Sequence, residues 1–123
     1  MALKHILIVD DEKDLLEVLK ETLELEGFQV SSFERADDAL KYLNKADVPV
    51  IDLIVSDMRM PDKNGLELAL MVNKELRLKI PFMMISGFAD ITPQQIQDAQ
   101  ITEFITKPFS LDSFIDRIND LLK

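Results

Sequence analysis

The sequence predicts an α/β fold, an open doubly wound sheet of five parallel strands with helices on both faces. Three observations carry that expectation. Short β-rich runs alternate with longer helix-period runs five times along the chain. The strand runs are apolar at consecutive positions, as in strands buried on both faces, and such strands belong to parallel sheets covered by helices. Four of the five strands also run into a polar residue, and open α/β sheets place their sites at those carboxyl ends.

The first strand is expected at 5–9, where Ile6, Leu7, Ile8 and Val9 form an unbroken apolar run that ends on Asp10 and Asp11. A helix follows, with Leu15, Leu16, Leu19 and Leu23 on one stripe, and Gly27 stands where a left-handed residue would end it. Strand two is predicted at 28–32 and helix two at 35–45, with Ala36, Ala39, Leu40 and Leu43 facing inward. Strand three, 53–56, runs into Asp57, and a loop with Pro61, Asn64 and Gly65 leads to helix three at 66–76. Strand four, 81–85, runs into Ser86 and Gly87.

Helix four should open at Thr92 and Pro93, because threonine is a good N-cap and proline suits the first helical position; Gln95 can complete a capping box. Its apolar anchors are chiefly Ile96 and Ala99, so it is predicted to be short and mobile. Strand five, 103–106, ends at Lys107 and Pro108. The last helix presents Leu111, Phe114, Ile115, Ile118, Leu121 and Leu122 on one face, with Ser110 as its cap.

Composition bounds the function. The 123 residues suit one domain, 1–123, large enough to bury a core. A net charge of −9, from 14 basic and 23 acidic residues, argues against direct binding of nucleic acid and for a cation or a basic partner. The absence of cysteine excludes disulfides and thiolate metal sites. No apolar run is long enough to cross a bilayer, and the first residues lack a signal-peptide core, so a soluble cytoplasmic protein without membrane contact is expected.

In the parallel sheet the strand ends share one edge, which gathers Asp10, Asp11, Asp57, Ser86 and Lys107. Neighbouring carboxylates repel, and a divalent cation together with Lys107 could hold them ionised. Magnesium suits such an all-oxygen site, and Asp57 then makes a nucleophile able to form an aspartyl phosphate. Taken singly, each residue also has a plain reading. Asp10 and Asp11 could cap helix one, Asp57 and Ser86 could be loop residues, and Lys107 could be a solvated lysine. Their conjunction at four strand ends is what points to a site. His5 reads as structural, the methionines as core or loop filler, and Tyr42 shows no evident chemistry.

The chain resembles the receiver domains of bacterial two-component response regulators. The resemblance rests on the run from Ile6 to Glu12 through Asp10-Asp11, on Ser56-Asp57-Met58-Arg59-Met60-Pro61 with Gly65, on Ile85-Ser86-Gly87, and on Phe104-Ile105-Thr106-Lys107-Pro108-Phe109. It implies a flavodoxin-like fold of strand order 2-1-3-4-5 and a phosphorylation-dependent signalling switch that is not a metabolic enzyme. Asp57 would accept a phosphoryl group from a sensor histidine kinase or histidine phosphotransfer domain. Asp11, Asp57 and the Arg59 main-chain carbonyl would bind Mg2+, with Asp10 assisting. Ser86 would be the switch hydroxyl, Phe104 the switch aromatic, and Lys107 the phosphoryl-binding cation, joined to Pro108 by a cis bond. The face of helix four, strand five and helix five would address a downstream effector or output domain, with a phosphorylation-dependent dimer left open. Arg59 and Phe88 are expected to overhang the acceptor and hinder attacking water. Two alternatives remain. One is a magnesium-dependent aspartyl-phosphate phosphatase or phosphotransferase, disfavoured because Arg59 stands where its general acid would be. The other is an unphosphorylated pseudo-receiver acting as a binding module.

Overall fold

The computed structural model describes residues 3–87 and 91–122. Five strands, β1 (His5–Val9), β2 (Gln29–Phe33), β3 (Leu53–Asp57), β4 (Phe82–Ser86) and β5 (Glu103–Thr106), form one sheet of order β2-β1-β3-β4-β5, and every pairing is parallel. Five helices alternate with them: α1 (Lys13–Leu25), α2 (Ala36–Leu43), α3 (Gly65–Leu70), α4 (Pro93–Asp98) and α5 (Leu111–Leu122). A π-helical turn, Met71–Glu75, continues α3. Among the described residues, no helix is long and apolar enough to cross a membrane.

Strand alternation divides the core into two layers. Leu7, Val9, Ile54, Phe82 and Met84 point to the side covered by α2, α3 and the end of α4. Ile6, Ile8, Leu53, Val55, Met83 and Ile85 point to the side covered by α1 and α5. The central strands β1, β3 and β4 are buried along their whole length, which explains their unbroken apolar runs.

Several predicted boundaries move, each for a local reason. Gly27 adopts φ 95° after α1, as expected. Its N–H donates to Glu24 O and the Phe28 N–H donates to Leu23 O, closing a Schellman cap. Phe28 is thereby spent on the cap, and β2 begins one residue later than predicted. Pro81 has no N–H, and β4 starts after it and includes Ser86. Helix two is shorter than 35–45, opening after an extended Arg35 and ending before Asn44. The predicted helix 66–76 is occupied, but by α-helix and then π-helix, and the wider turn accompanies burial of both Val72 and Asn73.

Helix α4 spans six residues, with the Thr92–Gln95 capping box formed in both directions. No residue within it is buried; Ala99, just past its end, is fully buried. Asn73 donates from Nδ2 to Ala99 O at 3.2 Å and to Gln100 O at 3.4 Å, tying the end of α4 to the π turn. By contrast α5 buries Phe114, Ile115 and Ile118, and Ser110 Oγ caps it by accepting the Ser113 N–H. Its Leu111 stays 41% exposed, so the apolar face predicted for that helix begins at Phe114.

Candidate functional site

The carboxyl edge of the sheet gathers the residues that the strand ends predicted. Asp10, Asp11 and Asp57 each offer a carboxylate oxygen, and these atoms lie within 4.8 Å of one another. Asp10 is 1% exposed and Asp57 4%, whereas Asp11 faces solvent. Lys107 Nζ donates to Asp57 Oδ2 at 3.1 Å and lies 3.6 Å from Glu12 Oε1. Fifty residues separate Asp57 from Lys107 in the chain, and the β3–β4–β5 pairing is what joins them.

Gly65 makes the geometry around Asp57 possible. An added Cβ there would stand 2.5 Å from Asp57 O and 2.7 Å from Met84 Sδ, and the Gly65 N–H donates to Met58 O. The next turn is secured by a reciprocal box in which Asn64 Oδ1 accepts the Glu67 N–H and Glu67 Oε1 accepts the Asn64 N–H. Two ion pairs, Arg35 with Asp62 and Lys63 with Asp37, tie this loop to the start of α2.

Burial dominates the electrostatics. It pushes the Asp10 carboxyl up to about 6; the Glu12 N–H hydrogen bond to Oδ1 opposes the shift, and the Asp57 charge adds to it. Burial raises Asp57 as well, against the opposing pull of Lys107. At Lys107 burial works downward, yet the hydrogen bond to Asp57 and the charges of Asp57, Asp10 and Glu12 prevail and raise it. Asp10 Oδ2 is buried and has no donor among the described residues. A cluster of hard oxygens with one orphaned buried acceptor and a carboxyl whose charge is disfavoured by burial fits a divalent cation. An open cavity of about 550 Å³ adjoins it, lined by Asp11, Met58, Arg59, Met60, Pro61 and Asn64.

The remaining predicted residues fall around this centre. Ser86 is buried at the end of β4, and the Ser56 hydroxyl donates to Asp57 O at 2.9 Å. Phe104 is half-buried on β5, opposite Met84 in register, and packs against the α2–α3 core layer. Arg59 is exposed at the cavity rim, while Phe88 lies outside the described residues. The Lys107–Pro108 bond is cis, as the resemblance implied.

Sequence reasoning did not single out Glu12, although its place beside Asp10-Asp11 could have signalled a partner for a strand-end lysine. It also left His5 and Tyr42 unconnected. His5 Nε2 lies 2.8 Å from Ser31 Oγ, and that hydroxyl donates to Tyr42 OH at 3.4 Å.

Comparison with known proteins agrees with the fold. The family model described as the response regulator receiver domain matches residues 6–119. Over 118 residues the chain is 39% identical to the C4-dicarboxylate transport transcriptional regulatory protein DctD of Rhizobium meliloti, covering 93% of this chain and 24% of that protein. It superposes on the non-phosphorylated HemR receiver domain from Leptospira biflexa with a TM-score of 0.84 and 32% identity, covering 98% of this chain and 94% of that one. The response regulator protein TrrA from Thermotoga maritima, solved in complex with Mg2+ and BeF, gives a TM-score of 0.82 at 29% identity, covering 98% and 100%. The chain belongs to the response regulator receiver domain family. Such domains are the signalling parts of two-component systems and are not metabolic enzymes. The chain spans from 24% to 50% of the length of the curated relatives it matches.

Proposed function

We propose that the chain is a phosphorylation-dependent switch whose phosphoacceptor is Asp57. The observation that carries this is the buried Asp57 carboxylate, held 3.1 Å from Lys107 Nζ and beside Asp10 and Asp11. The donor is a phosphohistidine of a sensor histidine kinase or histidine phosphotransfer domain. An Asp57 carboxylate oxygen attacks phosphorus, the N–P bond breaks, the imidazole takes up a proton, and an acyl phosphate remains on Asp57. Lys107 already holds Asp57 Oδ2 and would pass to a phosphoryl oxygen as charge builds there. Mg2+, held by Asp10, Asp11, Asp57 and the Arg59 main-chain carbonyl, would supply the neutralising charge on the phosphoryl oxygens.

The added charge, close to −2 at neutral pH, shifts a population between two conformations. Ser86 moves toward the phosphoryl group and Phe104 turns inward. The face of α4, β5 and α5 then changes for a downstream effector or output domain, or for a second phosphorylated copy. The same chemistry permits self-phosphorylation from small donors and slow self-hydrolysis. The scheme operates in the cytoplasm.

Incubation with acetyl phosphate and Mg2+ tests the reading. A mass gain of one phosphoryl group, absent in Asp57→Asn, is expected. No gain, which would favour the pseudo-receiver reading, or a gain that persists in Asp57→Asn, which would place the phosphoryl group elsewhere, would overturn the proposal.

A further inference from the structure

The edge of the sheet opposite Asp57 carries features that phosphoryl chemistry does not use. Three cavities run side by side along the amino ends of the strands. A central one of about 240 Å³ is apolar, lined by Leu43, Val50, Ile51, Leu78 and Ile80 among others. A second, of about 390 Å³, shares Pro49 and Val50 with it and reaches Lys4 and His5. A third, of about 380 Å³, shares Ile80 with it and reaches Lys79, Asn73 and Thr102. Together they form a trough across β1, β3 and β4.

Exposed apolar side chains concentrate there. Val50 is 80% exposed, Leu3 56% and Leu78 40%. Single exposed leucines are ordinary, but several along one connected groove form a patch of the kind that marks an interaction site. The backbone is unusual at the same corner. Arg77, Lys79 and Gln100 adopt φ of 54°, 53° and 58°, left-handed values that cost side-chain-bearing residues energy. They follow or face the π turn, where Asn73, 5% exposed, keeps Oδ1 without a donor among the described residues. Arg77 and Gln100 close helix ends, the Leu78 N–H donating to Val72 O and the Ile101 N–H to Ile96 O, and Leu78 and Lys79 beyond Arg77 stay exposed.

Charge selects the occupant. The chain carries −9 overall, yet each end of the trough holds an exposed lysine, Lys4 or Lys79, whose ammonium has no ion-pair partner among the described residues. Asp52 lines the second cavity as well, and its Oδ2 accepts the His5 main-chain N–H at 2.8 Å. From β1 to β4 is about 10 Å at two strand spacings, which an extended peptide covers in about three residues.

We infer that this amino-edge trough docks an extended segment of a partner protein, with apolar side chains at its centre and acidic residues on both flanks. The inference does not depend on the phosphoryl reading. The partner segment lays its apolar side chains over Val50 and Leu78 and its carboxylates against Lys4 and Lys79.

The test uses a synthetic peptide with Leu-Val-Leu at its centre and two acidic residues on each side, and a control in which lysines replace the acids. Titration of the isotope-labelled chain should move the amide resonances of Leu3, Lys4, Val50, Leu78 and Lys79 with the acidic peptide only. A Lys4→Glu, Lys79→Glu double variant with an unchanged melting temperature should bind about fivefold more weakly. Shifts elsewhere than this edge, equal binding by the double variant, or equal binding of the basic control would overturn the inference. So would self-association in sedimentation that reproduces the same shifts on concentrating the chain alone, because the occupant would then be a second copy.

Discussion

The two edges of the sheet are built on opposite terms. At the carboxyl edge, Asp10, Asp57 and Ser86 are buried polar groups, and Asp10 Oδ2 lacks a partner. At the amino edge, the buried polar groups are His5, linked through Ser31 to Tyr42, and Asn73, bonded to the end of α4, beside an apolar trough. The first edge gives up stability to hold charge where a cation and a phosphoryl group can be received. The second favours a neutral imidazole at His5. Among the described residues each edge leaves buried polar atoms unmet, a carboxylate oxygen at the first and an imidazole nitrogen and an amide oxygen at the second, so the edges differ in charge.

The largest expected effect sharpens that contrast. Gly65→Ala would drive a Cβ into Asp57 O and Met84 Sδ, and neither the backbone carbonyl nor the packed sulfur can retreat cheaply. A loss of about 3 kcal/mol in urea unfolding, together with loss of acetyl-phosphate labelling, is expected. A labelling-competent Gly65→Ala protein of normal stability would show that the loop after Asp57 is looser than the structure has it.

Asp10→Asn should act in the other direction. The folded-state pKa of Asp10, about 6 against an ordinary 3.8, favours its protonated form, so stability is present at low pH and falls as pH rises between those values. Without divalent cation at neutral pH the asparagine variant should gain about 2 kcal/mol, lose that slope, and bind Mg2+ more weakly. An unchanged unfolding midpoint at neutral pH would contradict the cost assigned to this edge.

Helix α4 joins the two edges and is secured differently at each. Thr92→Ala removes the cap at its carboxyl-edge end, worth about 1 kcal/mol to the helix. Hydrogen exchange should quicken in Pro93–Asp98 while α5 and the global unfolding midpoint stay unchanged. Exchange in α4 as slow as in α5 would break the prediction that few anchors leave it mobile.

The smallest effect concerns His5, whose pKa burial lowers against the opposing charge of Asp52. The neutral imidazole is favoured in the fold, so its contribution is complete above pH 6.5 and is lost as pH falls through the lowered folded value. Ser31, Tyr42 and Asp52 face it. His5→Gln should flatten this acidic arm of the stability profile, opposite in slope to the Asp10 arm, in urea titrations across that range.

Most elements were legible because each leaves a local mark. The unbroken apolar run 6–9 requires a strand buried on both faces, Gly27 marks a helix end, and Thr92, Pro93 and Gln95 spell a capping box. The edge that carries Asp57 was legible for a topological reason: in a parallel sheet every strand delivers its last residue to the same side. What stayed hidden depends on neighbours distant in sequence. Nothing in Met71-Val72-Asn73 announces a π turn, since that turn accompanies burial of Asn73 against the end of α4. Nothing in Lys4 or Lys79 marks them as two ends of one groove.

The sequence by itself thus determined the alternation of strands and helices, the sheet edge that carries Asp57, and the family, because periodicity and caps are written in adjacent residues. Only the tertiary structure decided that Lys107 reaches Asp57 at 3.1 Å, that Gly65 must lack a side chain, and that burial raises Asp10. Distance and dielectric are properties of packed neighbours, and in this chain those neighbours lie fifty residues apart, as Asp57 and Lys107 do, or more, as Glu12 and Lys107 do.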